Sequence, residues 1–346
     1  MRGFASDNYA GVHPDVLAAI AEANVEHAVS YGDDPWTEAL RARVRDELGA
    51  DAELHLVFNG TAANVLALEA LTQPWEAVIC AASSHLHADE CGAPERAGRK
   101  LLTVPAPGGR LEPAALDGLI VRIGDPHAIQ PRVVSVTQST ELGTRYPAAA
   151  LRELAAWAHD RGLLLHLDGA RLFNAAAGLG AGLGELTTAV GADAVSLGAT
   201  KNGAMGVEAV VFLRPGLAPG FPFLRKQSMQ LASKMRFMSA QLLALLDGEL
   251  WRANAAHANS MAQRLEAAVR DVPGVRITQP VEANGVFAVL PAGIAPGLAR
   301  EWPFYVWDEA TGEVRWMCAW DTRPADVDAF AAAVRAACAG TAPAAA

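Results

Sequence analysis

Apolar residues recur along this chain in two rhythms. Residues 13–24 (HPDVLAAIAEAN) and 34–49 (DPWTEALRARVRDELG) space them at helical intervals between start and stop signals, which predicts two amphipathic helices. From there, short apolar runs take over: LHLVF ahead of an Asn-Gly-Thr turn, AVIC at 77–80, KLLTV at 100–104, RVVSVT at 132–137, LLLHLD at 163–168, AVSL at 194–197 and AVVFL at 209–213. Helical segments separate several of them. Strand-length runs alternating with helices predict an α/β fold with a mainly parallel sheet covered by helices. Beyond about residue 242 a long polar-apolar helix (LWRANAAHANSMAQRLEAAVRDV) leads into short strands VRIT, GVFAVL and EVRWMCAW and a final helix from Ala325. The expected division is an N-terminal arm over 1–30, a large domain over 31–245 and a smaller C-terminal α/β domain over 246–346. There is no internal repeat.

Composition narrows the partners. With 346 residues, 51% hydrophobic and 19% charged, the chain can bury one large core or a large and a small one, and it is not a disordered sequence. A net charge of −10, with scattered Arg and Lys, argues against nucleic acid or an anionic membrane and leaves small molecules as the expected partners. The start, MRGFASDNYAG, has no apolar targeting core and no run of 18 apolar residues follows, so a cytoplasmic protein is expected. Cys80, Cys91, Cys318 and Cys338 show no metal-type spacing and read as reduced, structural thiols. The tail TAPAAA reads as frayed.

Two short strings carry the chemistry. Asp168 closes the run LLLHLD, and Lys201 follows AVSLGA in a Gly-rich loop, SLGATKNG; the two lie 33 residues apart. The chain between them reads as a helical crossover between parallel strands, which brings both to one carboxyl edge, where open α/β sheets bind ligands. A lysine that acts as a nucleophile on a carbonyl needs burial or a neighbouring cation to lose its proton. A pyridine ring that serves as an electron sink needs a carboxylate to keep its nitrogen protonated. The pair therefore points to pyridoxal phosphate. Each residue alone has an ordinary explanation, Asp168 as a helix cap and Lys201 as a turn residue. The adjoining motifs tip the balance.

In NGTAAN at 59–64 a strand runs into Gly60 and Thr61 at the head of a helix, a seat for phosphate, although a plain turn fits the same letters. No Walker lysine follows, so a nucleotide loop is not supported. After the next strand, SSHLHADECGAPE at 83–95 offers His85 as a ring to stack on the pyridine face and as a proton carrier. His85, His87, Asp89 and Glu90 also crowd as metal ligands might, but no further ligand with a recognised spacing follows, so no metal is expected.

Taken in order, SDN at 6–8, YGDDP at 31–35, NGTAAN, SHLHADECGAPE, LHLDGAR and GATKNG resemble the L-threonine aldolase family of fold-type I pyridoxal phosphate enzymes over about residues 4–320. ECGAPE, TQSTELGT and SKMRFMSAQ look most like its low-specificity and phenylserine aldolase branch. The resemblance implies an aspartate aminotransferase-like fold and cleavage of L-3-hydroxy-α-amino acids to glycine and an aldehyde. It makes Lys201 the lysine that carries the cofactor, Asp168 the pyridine partner and His85 the stacking residue. Gly60, Thr61 and Ala62 would bind phosphate. Arg171, Arg315 and Ser6 would hold the substrate carboxylate, which suits the guanidinium fork. Tyr31 would lie near the substrate, with Trp36 beside it. Arg236, assisted by Lys226, would reach the phosphate of a neighbouring subunit, implying a homo-oligomer, dimer or tetramer, with shared sites. The sequence departs from the family where many members carry Thr-His-Asn-Gly, since here Thr140, Glu141, Leu142 and Gly143 stand. Glu141 thus joins His85, or a water it holds, as a candidate base, and an aromatic β-substituent is expected to be preferred. A β-eliminating lyase or an aminotransferase on the same fold is the alternative within this chemistry, and a non-catalytic pyridoxal phosphate- or metal-binding protein is the alternative outside it.

Overall fold

A computed structural model describes residues 3–340; the tail TAPAAA lies outside the described residues. The apolar runs pair into one seven-stranded sheet: β1 (Glu53–Val57), β2 (Glu76–Ala81), β3 (Lys100–Val104), β4 (Gln130–Thr137), β5 (Leu164–Gly169), β6 (Ala194–Gly198) and β7 (Glu208–Phe212). Their order is β1-β7-β6-β5-β4-β2-β3. β3, β2, β4, β5 and β6 run parallel, and β7 is antiparallel to both of its neighbours. Strands β5, β6 and β7 are buried at every position, which is why they read as continuous apolar runs.

The two predicted helices form over Pro14–Glu22 and Pro35–Leu48. Asp34 caps the second by accepting from the Thr37 N–H at 2.8 Å, and Gly49 takes φ 117° beyond its end. The crossover between Asp168 and Lys201 is helical over Leu172–Leu179 and Leu183–Leu186. Because β7 is antiparallel, its first residue, Glu208, comes to the edge at which β1 to β6 end. One edge thus collects Gly60, His85, Glu141, Asp168, Lys201 and Glu208.

Two glycines set how closely β5 and β6 approach there. A Cβ on Gly169 would lie 2.7 Å from the Ser196 carbonyl oxygen, and one on Gly198 would lie 2.7 Å from the Ala170 Cα. Both obstacles are backbone, which cannot swing aside.

A second sheet follows, built from β8 (Arg276–Ile277), β9 (Gly285–Val289), β10 (Tyr305–Asp308) and β11 (Glu313–Met317) in the antiparallel order β10-β11-β9-β8. β10, short and half exposed, has no counterpart among the strands read from the sequence. The helices Leu250–Val269 and Pro324–Ala339 cover this sheet. In β11 the alternation buries Val314 and Trp316 in the core they share and leaves Arg315 for the opposite face. Phe4 stacks on Phe330 in that core at 4.5 Å, and its backbone bonds Pro303 and Met317, so the N-terminal arm is pinned to the small sheet. Among the described residues no helix is long and apolar enough to cross a membrane.

Gly198→Ala is expected to cost about 1–3 kcal/mol through overpacking and to impair the site along with stability. Thermal melting of the purified variant checks this; an unchanged Tm would show that the strand ends separate at no cost.

Candidate active site

A cavity of about 260 Å³ opens at the shared edge, lined by Gly60, Thr61, Asn64, His85, Glu90, Thr137, Ser139, Glu141, Asp168, Arg171, Lys201 and Glu208 among others. A second chamber of about 520 Å³ continues outward past Ser6, Asp89, Tyr305, Trp307 and Arg315, and shares Asn8, His85, Arg171 and Lys201 with the first.

Asp168 ends β5 buried, with Oδ1 accepting from the Ala170 N–H at 3.0 Å and Oδ2 from the Asn64 amide at 2.8 Å. Lys201 lies in the turn Thr200–Asn202 after β6. Burial, and then the Arg171 charge, push its amine below the ordinary lysine range, the condition for a nucleophilic amine. The chain's other lysines, Lys100, Lys226 and Lys234, are exposed. Glu208 accepts from the N–H groups of Ala199 and Thr200 at 3.1 and 3.3 Å and so holds the Lys201 turn from below; burial raises its carboxyl.

His85 opens the short helix His85–Ala88, and its Nδ1 lies 2.8 Å from the buried Glu90. Of the group that resembled metal ligands, His87 and Asp89 are exposed, while His85 and Glu90 pair with each other. Glu141 is half-buried, with Oε1 accepting from the Thr137 hydroxyl at 2.6 Å and from the His85 backbone N–H at 2.8 Å; withdrawal from water raises its carboxyl.

Arg171 is not a free clamp. Its Nε and Nη2 donate to the buried Asp7 at 2.7 and 2.9 Å as a bidentate pair, and Asn284 donates to the same carboxylate at 3.0 Å. Burial alone would raise the Asp7 carboxyl, but the guanidinium overrides it and holds it at about 2. Arg315 reaches the outer chamber between the rings of Tyr305 and Trp307, 5.6 and 4.6 Å away, and donates to the Ala5 carbonyl at 3.3 Å. Burial, and then Arg171, lower it to about 10. Ser6 lines the same chamber, its hydroxyl accepting from the Asn8 N–H.

Other sequence-derived residues lie outside this chain's cavity. Gly60 and Thr61 line it, but the Ala62 N–H is already committed to the Asn59 cap at 2.8 Å, and Ala62 faces an outer groove. Tyr31 is exposed with Lys226 over its ring at 5.2 Å, and Trp36 is half-buried near Arg236. Arg236 donates to the carbonyls of Val25 and Glu26. In a single chain none of Tyr31, Trp36, Lys226 and Arg236 lines either chamber.

A model of the Beta-eliminating lyase family matches residues 3–292. A low specificity L-threonine aldolase from a Pseudomonas species is 45% identical over 96% of this chain and 97% of its own. The chain belongs to the L-threonine aldolases of this family. A threonine aldolase from Leishmania major has the same architecture, with a TM-score of 0.91 at 29% identity over 97% of this chain and 99% of that one. An aspartate aminotransferase from Thermus thermophilus shares the fold, with a TM-score of 0.71 at 17% identity over 95% and 89% of the two chains. The fold-type I, aspartate aminotransferase-like architecture expected from the sequence is thereby shown for this aldolase family member. Asp7, Asn64, Glu90 and Glu208, with Ser139, Tyr305 and Trp307, are among the residues that the sequence reading did not assign to the site. Asn64 left a trace, as a polar residue one turn beyond Gly60 on a mostly apolar helix.

Beneath Asp168 on the same strand, His166 is fully buried between the Ser135 and Ser196 hydroxyls at 2.9 and 3.0 Å, and burial lowers its imidazole to about 4. It is neutral when folded and takes up a proton near 6.5 when unfolded, so its contribution is complete above pH 6.5 and is lost as pH falls toward 4. His166→Asn is therefore expected to cost about 1–3 kcal/mol at neutral pH and less near pH 5, where the wild type alone bears the protonation cost. Urea unfolding of both proteins at the two pH values checks this; a pH-independent difference would contradict a neutral buried imidazole.

Proposed function

We propose that this cavity binds pyridoxal phosphate and cleaves L-3-hydroxy-α-amino acids between Cα and Cβ, giving glycine and an aldehyde. The observation that carries the reading is Lys201, the one sheltered lysine, with its amine lowered by burial beside a buried carboxylate, in a chain of the L-threonine aldolase family. The cavity suits a polar ligand of that kind. Asn64 Oδ1, Ser139 Oγ and Glu141 Oε2 are buried there without a hydrogen-bond partner among the described residues, and a Cβ on Gly60 would meet only open space.

Lys201 would hold the cofactor's aldehyde carbon, Asp168 its ring nitrogen, His85 its ring face, and Gly60 and Thr61 its phosphate. Bound there, pyridoxal phosphate supplies a sink for the electron pair left on Cα when the Cα–Cβ bond breaks. The protein supplies the rest. Arg315, whose Nε has no partner among the described residues, and the third nitrogen of Arg171 offer the substrate carboxylate a cationic seat, with Ser6 adjoining it. Tyr305 and Trp307 give an aromatic β-substituent an apolar wall, in place of the Tyr31 and Trp36 expected from the sequence. The hydroxyl proton must pass to a protein group as the aldehyde forms, and Cα must regain a proton before glycine leaves. Lys226 stands over the exposed Tyr31 ring and Arg236 over Trp36, and Phe223 and Met229 in the same stretch of chain are exposed, which supports a homo-oligomer in which Arg236 and Lys226 complete a neighbouring copy's site.

The name of the matching family favours β-elimination as the second reading. Product analysis decides between them. Incubation with L-threonine and L-3-phenylserine is expected to give glycine and the aldehyde, with phenylserine showing the higher kcat/KM; ammonia and a 2-oxo acid would assign elimination instead. The active species is expected to sediment as a dimer or larger, and an active monomer would remove the shared-site part of the proposal.

A further inference from the structure

Glu90 has no part in the reading above, yet its surroundings are specific. It is 3% exposed, and its Oε1 is shared between His85 Nδ1 at 2.8 Å and the Asn64 amide nitrogen at 3.2 Å. That same amide nitrogen donates to Asp168 Oδ2 at 2.8 Å. One amide therefore ties two buried carboxylates, one facing the imidazole and the other at the end of β5. A carboxylate can only accept, so Nδ1 must carry the proton, and Nε2 is left as the free nitrogen of a ring that lines both chambers.

We propose that Glu90, held by Asn64, is a positioning residue that fixes His85 as the Nδ1–H tautomer and makes its Nε2 the acceptor of the substrate's hydroxyl proton. The inference rests on the aldolase reading. The proton passes from the β-hydroxyl to Nε2 and the O–H electron pair becomes the carbonyl of the aldehyde. The Cα–Cβ pair stays on Cα, and the proton returns from the imidazolium to Cα, so that no further reactant is needed. Glu90 offsets the imidazolium charge while it lasts, as the buried carboxylate does in the serine-histidine-aspartate arrangement. Glu141 is the less suitable acceptor, since it does not line the outer chamber that Arg315 and His85 share.

The groups facing His85 have opposing effects. Glu90 chiefly, and Asp168 from β5, favour the imidazolium; burial and the Lys201 ammonium oppose it, and the balance lies above the ordinary histidine range. Asp89 lines the outer chamber with it, and Arg171 lines both. Burial disfavours the charged form of Glu90, but the bonds from His85 and Asn64 help to hold its carboxyl below the ordinary range, so it stays anionic. Removing the Glu90 charge therefore lowers the pH at which His85 becomes protonated.

The test compares Glu90→Gln, Glu90→Asp and wild-type holoenzyme. Glu90→Gln is expected to cut kcat by about tenfold or more and to move the acid limb of kcat/KM about one unit lower, with partial rescue by Glu90→Asp. A limb that stays in place while the Tm is unchanged would overturn the proposal. Should Glu90→Gln fail to fold, 15N NMR of histidine-labelled wild type, with the His85 signals assigned by their loss in His85→Asn, still decides. The Nδ1–H tautomer or the imidazolium with a strongly hydrogen-bonded Nδ1 is expected, and an Nε2–H tautomer would refute it. Glycine release by the wild type keeps the two readings apart: glycine formation with an unmoved limb sinks only the role of Glu90, whereas its absence sinks the aldolase reading first.

Discussion

Charge withdrawn from water has to be compensated, and this constraint organises the whole carboxyl edge of the large sheet. Arg171 is neutralised by Asp7, His85 is set against Glu90, and Lys201 sits among Arg171, Asp7, Asp168 and Glu208. No pair is isolated. Asn64 joins Glu90 to Asp168, Asn284 joins Asp7 to the small sheet, and Glu208 holds the turn that carries Lys201. The result is a lysine held below its ordinary range in a cavity whose acidic groups are nearly all held by donors, which is what a nucleophilic amine requires.

The compensation also explains why the molecule needs both of its sheets. Phe4 anchors the N-terminal arm in the core of the small sheet, and three residues later Asp7 reaches Arg171 at the end of β5. β11 buries Val314 and Trp316 on one face, which leaves Arg315 to reach the outer chamber from the other. The small sheet therefore carries one guanidinium and, through the arm, the counter-ion of the second. A substrate carboxylate would meet positive charge delivered from two directions.

Much of this was legible in the sequence. The apolar runs marked the central strands of the large sheet, β2 and β4 to β7, because those strands are buried at most or all positions, and their lengths matched strands rather than helices. Asp168 and Lys201 stood out because each ends a run that must finish at the same edge of a parallel sheet. Glu208 was hidden, since a residue at the start of a strand reaches the carboxyl edge only if that strand is antiparallel, and periodicity carries no strand direction. Asp7 was hidden for another reason: its partner lies 164 positions away, beyond any local pattern. Arg171 was read as a clamp free to bind substrate, whereas the pairing with Asp7 commits two of its nitrogens. β10 escaped because a half-exposed strand of four residues has too little alternation to distinguish it from a loop.

The central claim is that Lys201 is the lysine prepared for covalent work. With only four lysines in the chain, Lys100, Lys201, Lys226 and Lys234, reduction with borohydride in the presence of pyridoxal phosphate followed by peptide mapping addresses it directly. The account predicts a single stable pyridoxyl label, at near one per chain, on the peptide that contains Lys201; a label on Lys226, Lys234 or Lys100 with Lys201 unmodified would contradict it.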